Sequence, residues 1–170
     1  SSPVHLGLEN PIKQPTDISR PEYFHKVVDC QWACPAHTPV PEYIRLIAQG
    51  RYSDAYLINW HSNVFPGILG RTCDRPCEPA CRRGRVEENN GEKPEPVAIC
   101  RLKRVAADLK DDIQARLPVP MARNGKRVAC VGAGPASLTV ARDLAPLGYE
   151  VVVFDSEAKA GGFIRTQIPR

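Results

Sequence analysis

Six of the seven cysteines fall between residues 30 and 100, as C-x3-C-P, a 38-residue gap, C-x3-C-x3-C, and then Cys100 near the start of a helix. Cysteines four apart lie within one turn of chain and can bind the same inorganic core. Two such groups would close a long loop around it. That spacing constrains the fold more than any apolar pattern does. Aromatic residues make up only 6% of the chain and hydrophobic ones 42%, a thin supply of large core side chains, and seventeen prolines predict much irregular backbone. The cysteine total is odd and the N-terminus lacks the apolar stretch of an export signal. Metal-bound thiolates in a reducing, cytoplasmic compartment are therefore expected rather than disulfides. An iron–sulfur cubane needs four thiolates or near equivalents. The candidates are Cys30, Cys34, Cys73, Cys77, Cys81 and Cys100.

The surrounding charge agrees. A cubane held by four thiolates is anionic, and Arg71, Arg75, Arg82, Arg83 and Arg85 crowd the same stretch, while Lys103 and Arg104 follow Cys100 by three and four residues. Nearby positive charge raises the reduction potential of such a cluster. The cysteine that precedes Pro35 is similar to those of bacterial ferredoxins, where that residue serves the other cluster of a pair. Zinc knuckles mostly pair C-x2-C groups, and none is present. Cys130 lies inside an apolar strand and is expected to be free and buried. Of the histidines, His25, five residues before Cys30, is the one near the motif; Trp32 and Trp60 are read as packing residues. A net charge of +4 lacks the concentrated basic footprint of a nucleic-acid binder. No apolar run approaches the ~20 residues that span a bilayer.

The chain divides into an extended arm at 1–20, a helical cluster domain at 21–120, a linker at 121–125 and an α/β segment at 126–170. Helices are expected over Pro21–Val28, after Pro39 up to Gly50, from an N-cap at Ser53, and over Val97–Gln114. In the last, Ile99, Leu102, Val105, Ala106, Leu109 and Ile113 form one apolar stripe. Cys30–Pro35, His61–Gly70 and Glu87–Pro96 read as loops. In the α/β segment, strands at Arg127–Val131 and Glu150–Asp155 flank a glycine turn and a helix reaching about Leu144. The turn, Gly132-Ala-Gly134-Pro135-Ala136-Ser137, has Ser where the dinucleotide fingerprint carries Gly or Ala, but its setting between a strand and a helix is the right one. The first glycine permits the turn, the second lets backbone approach a pyrophosphate, and the helix N-terminus supplies donors. Asp155, 23 residues after Gly132, is placed to accept hydrogen bonds from a ribose.

Gly70-Arg-Thr-Cys-Asp-Arg-Pro-Cys-Glu-Pro-Ala-Cys-Arg-Arg-Gly84, followed by Pro96-Val-Ala-Ile-Cys-Arg-Leu-Lys-Arg104, resembles the N-terminal iron–sulfur domain of the glutamate synthase small-subunit family, which dihydropyrimidine dehydrogenase shares. The likeness covers about residues 22–170. It implies a mainly α-helical iron–sulfur domain followed by the first β-α-β unit of a Rossmann-type (α/β) FAD-binding domain. Pro135 and the Gly161-Gly162-Phe-Ile-Arg165 segment favour a flavin by the same resemblance. Cys34, Cys73 and Cys77 would then hold one 4Fe-4S cluster. The family's fourth ligand falls at Lys103, and Cys100, one helical turn earlier, is expected to substitute. Cys30 and Cys81 match ligands of a second cluster whose other two positions fall at Glu22 and His25, so a second cluster would need unusual ligands. Cys34 with Cys73, Cys77 and Cys81 is the all-cysteine alternative.

The expected function is an electron-transfer iron–sulfur segment or subunit of an oxidoreductase that uses FAD and NAD(P)H. It would relay electrons between the flavin and a partner subunit, with no catalytic residue of its own. Two strands and one helix cannot enclose a whole flavin, so the rest of a flavoprotein or a complex is expected to complete the sheet. The rival from another class is a non-redox helical interaction module stabilised by zinc or a cluster.

Overall fold

The computed structural model describes residues 28–85 and 91–168. The arm expected at 1–20, nearly all of the helix expected from Pro21, and Glu22 and His25 lie outside the described residues. The chain forms two compact units: the described residues of Ser1–Thr38 with Arg75–Val97, and those of Pro39–Asp74 with Ala98–Arg170.

In the first unit, helix α1 spans Asp29–Ala33, where a loop was expected. Asp29 in its first turn suits the positive end of the helix dipole, and Trp32 N–H donates to Val28 O at 2.9 Å. The helix stops because Pro35 excludes the helical region for Cys34, whose φ and ψ are −74° and 123°. The rest of this unit is turns: Glu78, Cys81 and Gly84 donate backbone N–H groups to the carbonyls three residues back, and a 3-10 turn covers Arg82–Arg85. Gln31, Thr38, Cys77 and Cys81 are its buried residues among those described. No large aliphatic or aromatic side chain joins them.

The second unit has an ordinary core. Helix α2, Val40–Ala48, carries Pro41 in its first turn and buries Val40, Tyr43 and Leu46. Gly50 follows in the left-handed region at φ +71°. Helix α3 is Tyr52–Ser62. Ser53 does not cap it: its hydroxyl donates to Asp111 Oδ2 at 3.2 Å and accepts from Asp111 N–H at 3.0 Å, tying the start of α3 to the residues after α5. Helix α4, Pro66–Thr72, occupies a stretch expected to be loop. Helix α5, Ile99–Leu109, is shorter than the expected 97–114. It ends at Lys110, whose extended backbone leads to a separate 3-10 turn at Gln114–Arg116. Of the expected stripe, Ile99, Ala106 and Ile113 are buried, but Leu109 is 55% exposed. Tyr43, fully buried, donates its hydroxyl to Ile99 O at 3.2 Å and joins α2 to α5.

The same unit continues through 121–125 into β1, Arg127–Val131, then α6, Pro135–Leu144, and β2, Glu150–Phe154. The two strands pair in parallel from Arg127↔Glu150 to Val131↔Phe154. A last short helix, α7, spans Ile164–Gln167. The strands are less buried than an apolar run predicts. Cys130 is buried, yet Val131 is 90% and Phe154 57% exposed, because α6 can cover only one face of a two-stranded sheet. The result is a helix-rich chain with the opening of a Rossmann-like fold.

Candidate metal centre and glycine turn

The first unit holds Cys30, Cys34, Cys77 and Cys81, none of them in a disulfide. Burial, and next the neighbouring Cys81, push the Cys30 thiol up from its ordinary pKa. The structure therefore brings Cys30 and Cys81 within electrostatic reach of each other, across 51 residues of sequence. Cys34 donates to the buried Thr38 hydroxyl at 3.6 Å. Asp29 in α1 forms an ion pair with Arg82 at 2.9 Å, beside Cys30 and Cys81 in sequence.

In the second unit, α4 and α5 set the positions of Cys73 and Cys100. A methyl group added at Gly67 would stand 3.1 Å from Ala107 Cβ, and one at Gly70 only 2.9 Å from the Arg104 backbone nitrogen. Three residues forward on α4 match three residues back on α5, so the helices are antiparallel and very closely packed. One more such step brings Cys73, the residue that caps α4, level with Arg101 and Cys100. Cys73 is half-buried, while Cys100, in the first turn of α5, is buried.

That end of the helix pair is unusually polar inside. Lys103, one turn beyond Cys100, is 6% exposed. Helix α3 presents Ala55, Asn59 and Asn63 at four-residue steps, all buried. Asn59 Nδ2 donates to Ala55 O at 2.9 Å, but Asn59 Oδ1 and both polar atoms of the Asn63 amide have no hydrogen-bond partner. Sequence reading missed both asparagines. Their four-residue spacing from Ala55 was the available signal, and it went unused because polar residues are expected on the solvent face. Not all of the expected positive charge is free to serve a cluster. Arg71 is bidentate to Asp108, at 3.0 and 3.1 Å, and Arg82 is paired with Asp29. Arg104 is exposed, unlike Lys103. Among the described residues, no three Cys, His, Asp or Glu side chains form a group that could hold a metal ion. A cubane distributes its thiolates over four irons, so its ligands need not meet at one point.

At the glycine turn, Gly132 has φ +88° and its N–H donates to Phe154 O at 2.7 Å. Pro135 opens α6, whose N-terminal residues Ala136 and Ser137 are exposed and half-exposed. The later double glycine folds back on this turn: Gly161 N–H donates to Ala133 O at 2.7 Å, and a methyl on Gly162 would lie 3.2 Å from Gly134 Cα. Arg165 is exposed at the start of α7. Asp155, read as a ribose acceptor, here accepts from the turn itself. Oδ1 takes Glu157 N–H at 2.7 Å and Oδ2 takes Ala133 N–H. The backbone N–H of Glu157, then that of Ala133, hold its carboxyl below the usual range.

Two family profiles match. Residues 21–115 match dihydropyrimidine dehydrogenase domain II, 4Fe-4S cluster, and residues 130–168 match an NAD(P)-binding Rossmann-like domain. The chain is similar to the NADP(+)-dependent formate dehydrogenase subunit beta of Moorella thermoacetica, with 37% identity over 82% of this chain and 22% of that protein. It is 36% identical to the NADPH-Fe(3+) oxidoreductase subunit beta of Geobacter sulfurreducens, over 91% of this chain and 23% of that one. The glutamate synthase (NADPH) small chain of Mycobacterium tuberculosis is also 36% identical, over 82% of this chain and 28% of its own length. The chain thus spans about a quarter of the length of the curated relatives it matches.

Proposed function

The chain belongs to the 4Fe-4S cluster family of dihydropyrimidine dehydrogenase domain II, and from that premise we propose that it is the electron-transfer iron–sulfur segment of an oxidoreductase dependent on NAD(P)H and FAD. One observation carries the cluster reading. The first unit buries two cysteines, a glutamine and a threonine and no large apolar side chain among the described residues. Turns with so few buried apolar groups among the described residues gain little stability to set against the entropy of ordering them. A bound cluster would supply that stability, as structural metals do in other small domains. Within the second unit, Cys73, Cys100, the Lys103 ammonium and the orphaned Asn63 amide offer sulfur ligands and donors of the kind that an anionic core takes.

As ligands we propose Cys34, Cys73 and Cys77 with Cys100 for one cluster. Cys30 and Cys81 remain for a second, which would draw on further groups. When bound, such a cluster accepts and releases single electrons. The chain's own residues would shield it from water and offer donors to its sulfurs. The glycine turn is proposed to take the pyrophosphate of FAD on the α6 N-terminus, which supplies backbone donors and partial positive charge. The relatives named as beta or small subunits support a partner subunit that exchanges electrons with this chain. Seven cysteines outside any disulfide suit a reducing compartment such as the cytoplasm. No helix among the described residues is long and apolar enough to cross a membrane.

Anaerobic purification tests the reading. Brown protein with broad absorbance near ~400 nm that bleaches with dithionite, containing iron and sulfide, is the expected result. Colourless protein loaded with zinc would overturn it in favour of a non-redox interaction module.

A further inference from the structure

A buried ammonium group needs a counter-charge, because leaving a cation unpaired in a dry interior costs several kcal/mol. Lys103 is 6% exposed as a residue, its ammonium at the edge of that burial, and among the described residues its side chain takes part in no ion pair or hydrogen bond. The neighbouring carboxylates of its helix are engaged elsewhere: Asp108 with Arg71 and Arg104, and Asp111 with Ser53. One turn toward the helix N-terminus on the same face lies Cys100, 2% exposed.

The Asn63 amide reaches the same place from another helix. The Ser53–Asp111 pair, and Lys110 over the Tyr56 ring at 5.3 Å, put the start of α3 against the end of α5. The two helices therefore run antiparallel. At ~1.5 Å of rise per residue, the C-terminal cap of α3 falls beside the first turns of α5, where Cys100 and Lys103 sit. A lysine buried along most of its side chain and a buried amide, neither with a partner among the described residues, thus converge on the turn that carries a buried thiol. The Lys103 ammonium and Asn63 Nδ2 are donors without acceptors among the described residues.

We propose that Lys103, assisted by the Asn63 amide, is the built-in counter-charge of the cluster, donating hydrogen bonds to its sulfur atoms and raising its reduction potential. The proposal rests on the cluster reading above. An added electron makes the cluster more negative, and a cation held close by, partly screened from water, stabilises that reduced form more than the oxidised one. Lys103 is therefore a potential-setting residue and not a ligand.

The test is a redox titration of the full chain, purified anaerobically and followed by electron spin resonance. Lys103→Met keeps the length of the side chain and removes the charge. It should retain iron and sulfide, while the ratio of reduced to oxidised cluster at a fixed potential falls at least tenfold, a downward shift of about 59 mV for one electron. Lys103→Arg should restore most of that shift, and Lys110→Met, at the far end of the helix, should show none. Full iron content with an unchanged potential in Lys103→Met would overturn the proposal and leave the cluster reading intact. Wild-type protein without iron would remove both. If Lys103→Met fails to hold iron, wild-type protein grown with 15N-labelled lysine decides: a lysine nitrogen coupled weakly to the reduced cluster sustains the proposal, and no coupling ends it.

Discussion

Two regions of the second unit use glycine for opposite purposes. Where α4 meets α5, Gly70 has ordinary helical backbone and is needed because its neighbour is too close: an added methyl would press on the Arg104 backbone at 2.9 Å. At the dinucleotide-type turn, Gly132 has nothing within 4 Å of an added methyl and is needed because its φ is +88°. The first site is made by packing and is half-buried. The second is made by local backbone conformation and lies open, with Val131 and Phe154 exposed beside it. A site made by packing depends on distant residues, whereas one made by a turn depends on its own few.

The cysteines offer the strongest way to sharpen that contrast. Cys73→Ser and Cys100→Ser, at the helix pair, should each abolish most iron binding and reduce the yield of folded protein. Cys130→Ser, buried in β1, should leave iron and sulfide per chain unchanged. Iron loss in Cys130→Ser would break the separation between the two regions.

Next in size, Gly70→Ala should lower stability in urea by about 1–3 kcal/mol, the usual cost of overpacking, and should lower iron content with it. Gly132→Ala should cost about 1–2 kcal/mol for a left-handed residue and leave iron content alone. Equal iron loss in both would show that the turn and the helix pair are energetically one site.

The smallest effect concerns acid. Asp155 is exposed, and its carboxyl is held below its usual range by the backbone N–H groups of Glu157 and Ala133. A depressed carboxyl contributes stability that is present above its unfolded value, about 3.9, and is lost as pH falls through the folded value. Asp155→Asn should therefore flatten the acid limb of the stability curve slightly, without moving it near neutrality. Hydrogen exchange at Ala133 N–H, measured against pH, follows the same loss locally.

Legibility in the sequence follows the same division. β1 was readable to the residue and the end of α6 to about Leu144, because a strand, a glycine turn and an amphipathic helix are each specified by neighbours in sequence. Five of the six cysteines proposed as ligands stand out by four-residue spacing, which is local, whereas Cys100 follows Cys81 by 19 residues. The helix at Pro66–Thr72 was not, because two glycines in seven residues signal a loop unless a second helix lies within contact distance. Ser53 looked like a cap, and became instead the hydroxyl that holds Asp111, 58 residues away.

By itself, then, the order of residues determined which thiols could serve a cluster and where the nucleotide-type turn begins. Only the tertiary structure decided that Lys103 and Asn63 are buried and Leu109 is not. Burial is set by what packs against a helix face, and α5 is faced by α2, α3 and α4, whose approach depends on contacts spread over some seventy residues of chain.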